Sequence, residues 1–232
     1  MAPNARRAFL VTGSDTGAGK TTFSCLLAAA LRCGGIDVGV MKPAETGCPS
    51  DADGHLQPGD ALLLREAAGS NAALDEICPY RFAEPLAPLL AARRAGVAID
   101  VDRLAASYRR LSAAHTVTLV EGAGGLLVPL TDTVSYAELA ARLGLELIVV
   151  VGSKLGCINH CLLTLRVAAA SGLPVAGYVL NEVCPTADLA QQTNATLLQD
   201  LVGPALATIP HLTDWRHPPS GFSLDLAPFL PD

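Results

Sequence analysis

Residues 13–21 read Gly-Ser-Asp-Thr-Gly-Ala-Gly-Lys-Thr and stand between the apolar run Phe9-Leu10-Val11 and the helix-like stretch from Phe23 to Leu31. A glycine-rich turn between a buried strand and a helix, closing on Gly-Lys-Thr, holds phosphates. Loop N–H groups and the positive end of the helix face the anion, Lys20 reaches the outer phosphates, and the Thr21 hydroxyl is offered to Mg²⁺. The strict spacing is a glycine, four residues, then Gly-Lys-Ser/Thr. Here Ser14 occupies the first glycine position and Gly13 lies one residue back, so the loop is a lengthened relative of the usual one.

Other charged residues sit where apolar runs end. Lys42 follows Val38-Gly39-Val40-Met41 and is fixed by Pro43, which puts its ammonium over the phosphate loop to neutralise a transferring phosphoryl group or an anionic substrate. Glu121, in Val-Glu-Gly-Ala-Gly-Gly, offers a hard carboxylate to Mg²⁺ directly or through water. Asp60, in Pro-Gly-Asp-Ala-Leu-Leu, suits either a metal contact or the first turn of a helix. In Lys154-Leu-Gly-Cys-Ile-Asn-His160, exposed N–H groups of a helix start could hold a carboxylate, or Asn159 is simply the helix cap.

The elements that must position these groups alternate. Strands are expected at 8–12, 38–42, 117–121, 147–151 and 175–181, and helices at 21–33, 60–68, 101–114, 135–142, 159–170 and 188–202. Near-continuous Val/Leu/Ile runs bounded by Gly or Pro fit strands covered on both faces. The alternation predicts an α/β fold, a mostly parallel sheet wound by right-handed crossovers. In such a sheet ligands bind beyond the C-terminal strand ends, which here carry Thr12-Gly13, Lys42-Pro43, Glu121-Gly122, Gly152-Ser153-Lys154 and Asn181-Glu182.

With 232 residues, half of them apolar, one domain over 1–232 is expected, its six-proline segment 204–232 packed on it as a tail. A net charge of −6 disfavours nucleic acid as the main partner. No apolar stretch approaches the roughly 18 residues of a membrane span, and the N-terminal run is broken too soon for a signal peptide. A cytoplasmic protein without membrane partners is expected. The seven cysteines include no CxxC pair and read as reduced core residues.

Taken together, the blocks Val-Thr-Gly-Ser-Asp-Thr-Gly-Ala-Gly-Lys-Thr (11–21), Lys-Pro-Ala-Glu-Thr-Gly (42–47), Gly-Asp-Ala-Leu (59–62), Pro-Tyr-Arg-Phe-Ala-Glu-Pro-Leu-Ala-Pro (79–88), Val-Glu-Gly-Ala-Gly-Gly (120–125) and Lys-Leu-Gly-Cys-Ile-Asn-His (154–160) resemble the dethiobiotin synthetase family over about residues 8–212. The resemblance implies a single-domain P-loop fold and an ATP-dependent ligase of biotin synthesis. Such an enzyme joins CO₂ to 7,8-diaminopelargonate and closes a cyclic urea with MgATP. It further implies that Gly17, Ala18, Gly19, Lys20, Thr21 and Thr22 hold the triphosphate, with Gly122, Ala123 and Gly124 beside it, and that Thr21, Asp60 and Glu121 surround Mg²⁺. Lys42, Lys20 and Thr16 would act on the reacting groups, and Thr46, Lys42, Gly124 and Asn159 would meet the substrate. Asn181 and Glu182, with Pro210, His211 and Leu212, would form the adenine pocket. A homodimer is implied, the Asn159 loop of one subunit reaching the substrate carboxylate in the other's site.

The chain departs from the family at Gly17, where many members carry a larger or charged residue, and on the late helix, where Thr193 stands for a frequent tyrosine. The rivals are a partitioning-type switch ATPase, a nucleotide-sensing regulatory module and a cobyrinic acid-type amidoligase. The first requires a second lysine at the position of Asp15. The second does not account for intact Lys42, Thr46 and Glu121, and the third needs a glutaminase domain for which the chain has no room.

Overall fold

The computed structural model describes residues 6–186 and 188–231. Its main sheet has six parallel strands in the order β2-β5-β1-β6-β7-β8, formed by β1 (Arg7–Gly13), β2 (Val38–Met41), β5 (Val117–Gly125), β6 (Glu146–Ser153), β7 (Val175–Glu182) and β8 (Ala207–Ile209). A second, two-stranded parallel sheet pairs β3 (Ala44–Thr46) with β4 (Tyr80–Phe82). The helices are α1 (Lys20–Cys33), α2 (Gly59–Ala68), α3 (Leu74–Ile77), α4 (Pro88–Arg94), α5 (Val101–Ala114), α6 (Tyr136–Leu143), α7 (Cys157–Ala170) and α8 (Leu189–Val202).

The period of two along each strand divides the core. Phe9, Val11, Val40, Leu119, Ile148 and Val150 point to the face covered by α1 and α2. Leu10, Val120 and Leu147 point to the opposite face with α5 and α6, and Val149, Val151 and Leu180 meet α7 and α8. All of these side chains are buried, as expected for strands covered on both sides. The helices end as their sequences direct. Ser135 with Glu138, and Asp188 with Gln191, form capping boxes, and Gly69 and Gly144 close α2 and α6 in left-handed conformation.

The expected strands and long helices are present with boundaries shifted by a few residues. Lys42 lies just past β2, its N–H donating to the carbonyl of Ile77 at 2.7 Å. Four short elements, β3, α3, β4 and α4, occupy 44–94, where only α2 was expected. The tail returns beneath the sheet. Phe229 is fully buried and meets the rings of Phe9 and Phe23 at 6.0 and 6.3 Å, while Arg7 binds the carbonyl of Pro228 at 2.6 Å and pairs with Glu146. No helix is long and apolar enough to cross a membrane among the described residues.

Candidate active site

Strand order makes the site. β2, β5 and β1 are neighbours, and their register sets Val11 opposite Glu121 and Met41 opposite Val120. Lys42, Glu121 and the phosphate loop therefore leave the sheet side by side. Gly19 precedes α1 with φ 91°, and Gly17 has φ 74°, backbone that L side chains rarely adopt. At Gly13 a Cβ would stand 2.6 Å from the carbonyl of Asp15 and 3.1 Å from Nζ of Lys20. The displaced first glycine is thus where the loop folds too closely for a side chain.

One cavity of about 400 Å³ is lined by Thr16, Gly17, Gly19, Lys20, Thr21 and Thr22 from the loop and α1. Lys42, Glu45, Thr46, Asp60, Ala123 and Gly124 line its other side. At its base the Lys42 ammonium is 2.7 Å from Oε1 of Glu121 and 2.7 Å from Oδ2 of Asp60, with the Gly122 carbonyl 3.5 Å away. The Thr21 hydroxyl donates to the same Glu121 oxygen at 2.8 Å.

The charges shift accordingly. Burial acts to lower Lys42, yet Glu121 and then Asp60 outweigh it and hold the ammonium well above the usual lysine range. Burial lowers Lys20, and its neighbour Lys42 lowers it further. For Asp60 burial acts upward, but Lys42 prevails and the carboxyl lies below its ordinary value. Glu45 is raised by burial and by Asp60, although it accepts two backbone N–H bonds.

The residues present fit a divalent cation. Oε2 of Glu121 is buried without a hydrogen-bond partner among the described residues. An unsatisfied carboxylate oxygen in the interior is costly, and a hard cation is a partner its chemistry accepts. Thr21 and Asp60 supply the neighbouring oxygens.

Other expected contacts are less direct. Ala18 is buried behind the loop, its carbonyl accepting from Asn181 Nδ2 at 3.0 Å, so Asn181 braces the loop. Leu212 lines an adjoining recess of about 360 Å³ with Thr21, Thr22 and Asp60, joined by Asp214, Trp215 and Arg216, which sequence reasoning passed over. Pro210, His211 and Glu182 line neither space. Asn159 does not cap α7. The cap position is Gly156, φ 93°, with no side-chain bond, and Asn159 is exposed in the first turn and lines neither space. A side-chain cap was one of the two readings of Asn159; the helix starts two residues before the expected 159 because Gly156 permits the left-handed turn. Thr193 bonds back to the Leu189 carbonyl at 2.9 Å. Asp15 pairs with Lys154 at 2.8 Å, joining the loop to the end of β6. Glu45, within Lys-Pro-Ala-Glu-Thr-Gly, is a site residue to which the sequence alone assigns no role. Its signal was Pro58, which has no acceptor with which to cap the next helix.

A parallel sheet with a phosphate loop after its first strand, and lysine and carboxylates on adjacent strand ends, defines a P-loop nucleotide-binding protein. A family model described as an AAA domain matches residues 7–218. A ParA family ATPase from Chlorobium tepidum TLS shares the fold, with TM-score 0.54 and 18% identity over 90% of this chain and 87% of that one. The ATP-dependent dethiobiotin synthetase BioD of Anaeromyxobacter dehalogenans (strain 2CP-C) is 47% identical over 82% of either chain. That of Pseudomonas paraeruginosa is 41% identical over 95% of this chain and 97% of its own. The chain belongs to the ATP-dependent dethiobiotin synthetase family.

Proposed function

We propose that this ATP-dependent ligase of biotin synthesis carboxylates 7,8-diaminopelargonate with CO₂ and closes the ring of dethiobiotin. One substrate amine adds to CO₂ and loses a proton, giving a carbamate. A carbamate oxygen attacks the γ-phosphorus of ATP and ADP leaves. The second amine attacks the carbonyl carbon of the carbamic–phosphoric anhydride, phosphate departs, and the cyclic urea forms.

The observation that supports this reading best is the convergence of Lys42, Asp60, Glu121 and the phosphate loop on one cavity. Loop N–H groups and Lys20 would hold the β- and γ-phosphates. Lys42, kept charged by its carboxylates, would draw the carbamate toward the γ-phosphoryl group and screen the charge between them. Thr16, Thr46 and Gly124, which also line the cavity, would face the diamine. Thr21, Asp60 and Glu121 would hold Mg²⁺, which when bound neutralises charge on the phosphates. The proposed assembly is a homodimer in which the loop carrying Asn159 binds the carboxylate end of the substrate in the partner's site, and Asn181 with Leu212 faces the base. Against a partitioning-type ATPase stands Asp15, whose carboxylate is paired with Lys154.

The deciding experiment supplies MgATP with diaminopelargonate, bicarbonate, both or neither. Phosphate release only with both, and dethiobiotin by mass spectrometry, is expected. Substrate-independent hydrolysis without dethiobiotin overturns the reading.

A further inference from the structure

Helix α2 begins at Gly59, and its cap position holds Pro58 (φ −77°, ψ 98°), with no side-chain hydrogen bond. A capping side chain ordinarily accepts the N–H of the second or third helical residue. In α2 these are Asp60 and Ala61. Both N–H groups go instead to a residue on β3: Asp60 N donates to Glu45 Oε1 at 2.9 Å, and Ala61 N to Glu45 Oε2 at 3.0 Å. Glu45 is itself buried, and β3 is held by its pairing with β4. The Asp60 carboxylate is left to turn toward Lys42 at 2.7 Å.

We propose that Glu45 is a positioning residue, an N-cap supplied from outside the helix that sets Asp60 beside Lys42, Thr21 and Glu121 and so fixes the carboxylate pair for the nucleotide's divalent cation. The inference rests on the reading of Asp60 and Glu121 as that pair. An anion at the positive end of α2 is favourable. It also occupies the second helix start facing the cavity, which leaves the phosphates to the loop before α1.

The test is calorimetric titration of the full-length protein with ADP, in EDTA and at rising Mg²⁺, for wild type, Glu45→Gln, Glu45→Ala, Asp60→Asn and the double variant Glu45→Ala/Pro58→Ser. Asp60→Asn is expected to weaken the Mg²⁺ dependence. Glu45→Ala should raise the Mg²⁺ concentration at half effect by about tenfold, with affinity in EDTA within about twofold of wild type, as for loss of a charged helix cap. Glu45→Gln has one acceptor oxygen for two N–H groups and should fall between; it carries the test if the alanine variant does not fold. Serine at 58 places one hydroxyl oxygen at the cap, able to accept one of the two N–H groups, and should recover part of the loss. Wild-type Mg²⁺ dependence in both Glu45 variants, an equal loss of affinity in EDTA, or no recovery by serine overturns the proposal. An Asp60→Asn protein with unchanged Mg²⁺ dependence removes the underlying reading instead, whatever the Glu45 variants do.

Discussion

Nζ of Lys42 lies 2.7 Å from Oε1 of Glu121, and both side chains are buried. Two opposite charges taken out of water together compensate each other, so each is costly to remove alone. Lys42→Ala should lower dethiobiotin formation by at least ~10²-fold, the scale of losing one electrostatic stabiliser. It should also lower stability by about 3 kcal/mol in urea unfolding, because Glu121 is stranded. Replacing both residues by methionine should restore stability but not turnover. An unchanged rate in the alanine variant would remove Lys42 from the mechanism.

Metal dependence follows from the oxygen of Glu121 left without a partner. EDTA should stop phosphate release, and Mg²⁺ should restore it. Glu121→Gln should need about tenfold more Mg²⁺ for half-maximal rate, since it surrenders a charged hard ligand. A coupled phosphate assay measures both.

The Asp60–Lys42 pair gives stability a defined dependence on pH. The folded carboxyl of Asp60 lies below its ordinary value of 3.8. Its contribution is therefore complete above that value and disappears as pH falls through the lower, folded one. The difference in urea midpoint between wild type and Asp60→Asn should be constant from pH 5 to 7 and shrink below about pH 4. A difference that grows on acidification would contradict the pairing.

Gly19 tests the loop without touching a charge. At φ 91° a Cβ would stand 2.0 Å from Nδ2 of Asn181. Gly19→Ala should cost about 1–3 kcal/mol through backbone strain and weaken ADP binding at least ~10-fold through displaced N–H groups. Calorimetry with ADP and a thermal melt separate the two effects.

Two exposed leucines offer a surface for the proposed dimer. Leu155 is 85% and Leu189 75% exposed, and Asn194 of α8 bonds Ser153 and Lys154, bringing α8 against the segment that carries Leu155. Exposed apolar side chains gathered on one face can serve as a contact surface. Sedimentation should show a dimer. Leu155→Glu with Leu189→Glu should shift it toward monomer and raise the KM for diaminopelargonate, with ADP binding little changed. A dimer indifferent to both changes would place the interface elsewhere.

What the sequence disclosed follows the strength of the physical signal. Apolar runs such as Leu147–Val151 must be buried strands, and a lysine or glutamate where such a run stops has few other uses. Lys42 and Glu121 could therefore be placed before any coordinates. The strands β3 and β4 span three residues each, too short for a period to register, and their positions depend on each other. Glu45 escaped notice for the same reason, since its role lies in the backbone of a helix 15 residues along the chain. At Asn159 the preferred capping residue was overruled by Gly156, whose left-handed backbone starts the helix earlier. The recess at Asp214–Arg216 arises from a tail with no regular pattern at all.

The last turn of the chain seals a hole framed by its first strand and first helix, for Phe229 lies between Phe9 and Phe23. Removing the Phe229 ring would leave a cavity against β1 and α1, the two elements that carry the phosphate loop between them. A packing contact more than 200 residues along the chain thus bears on the footing of the nucleotide loop.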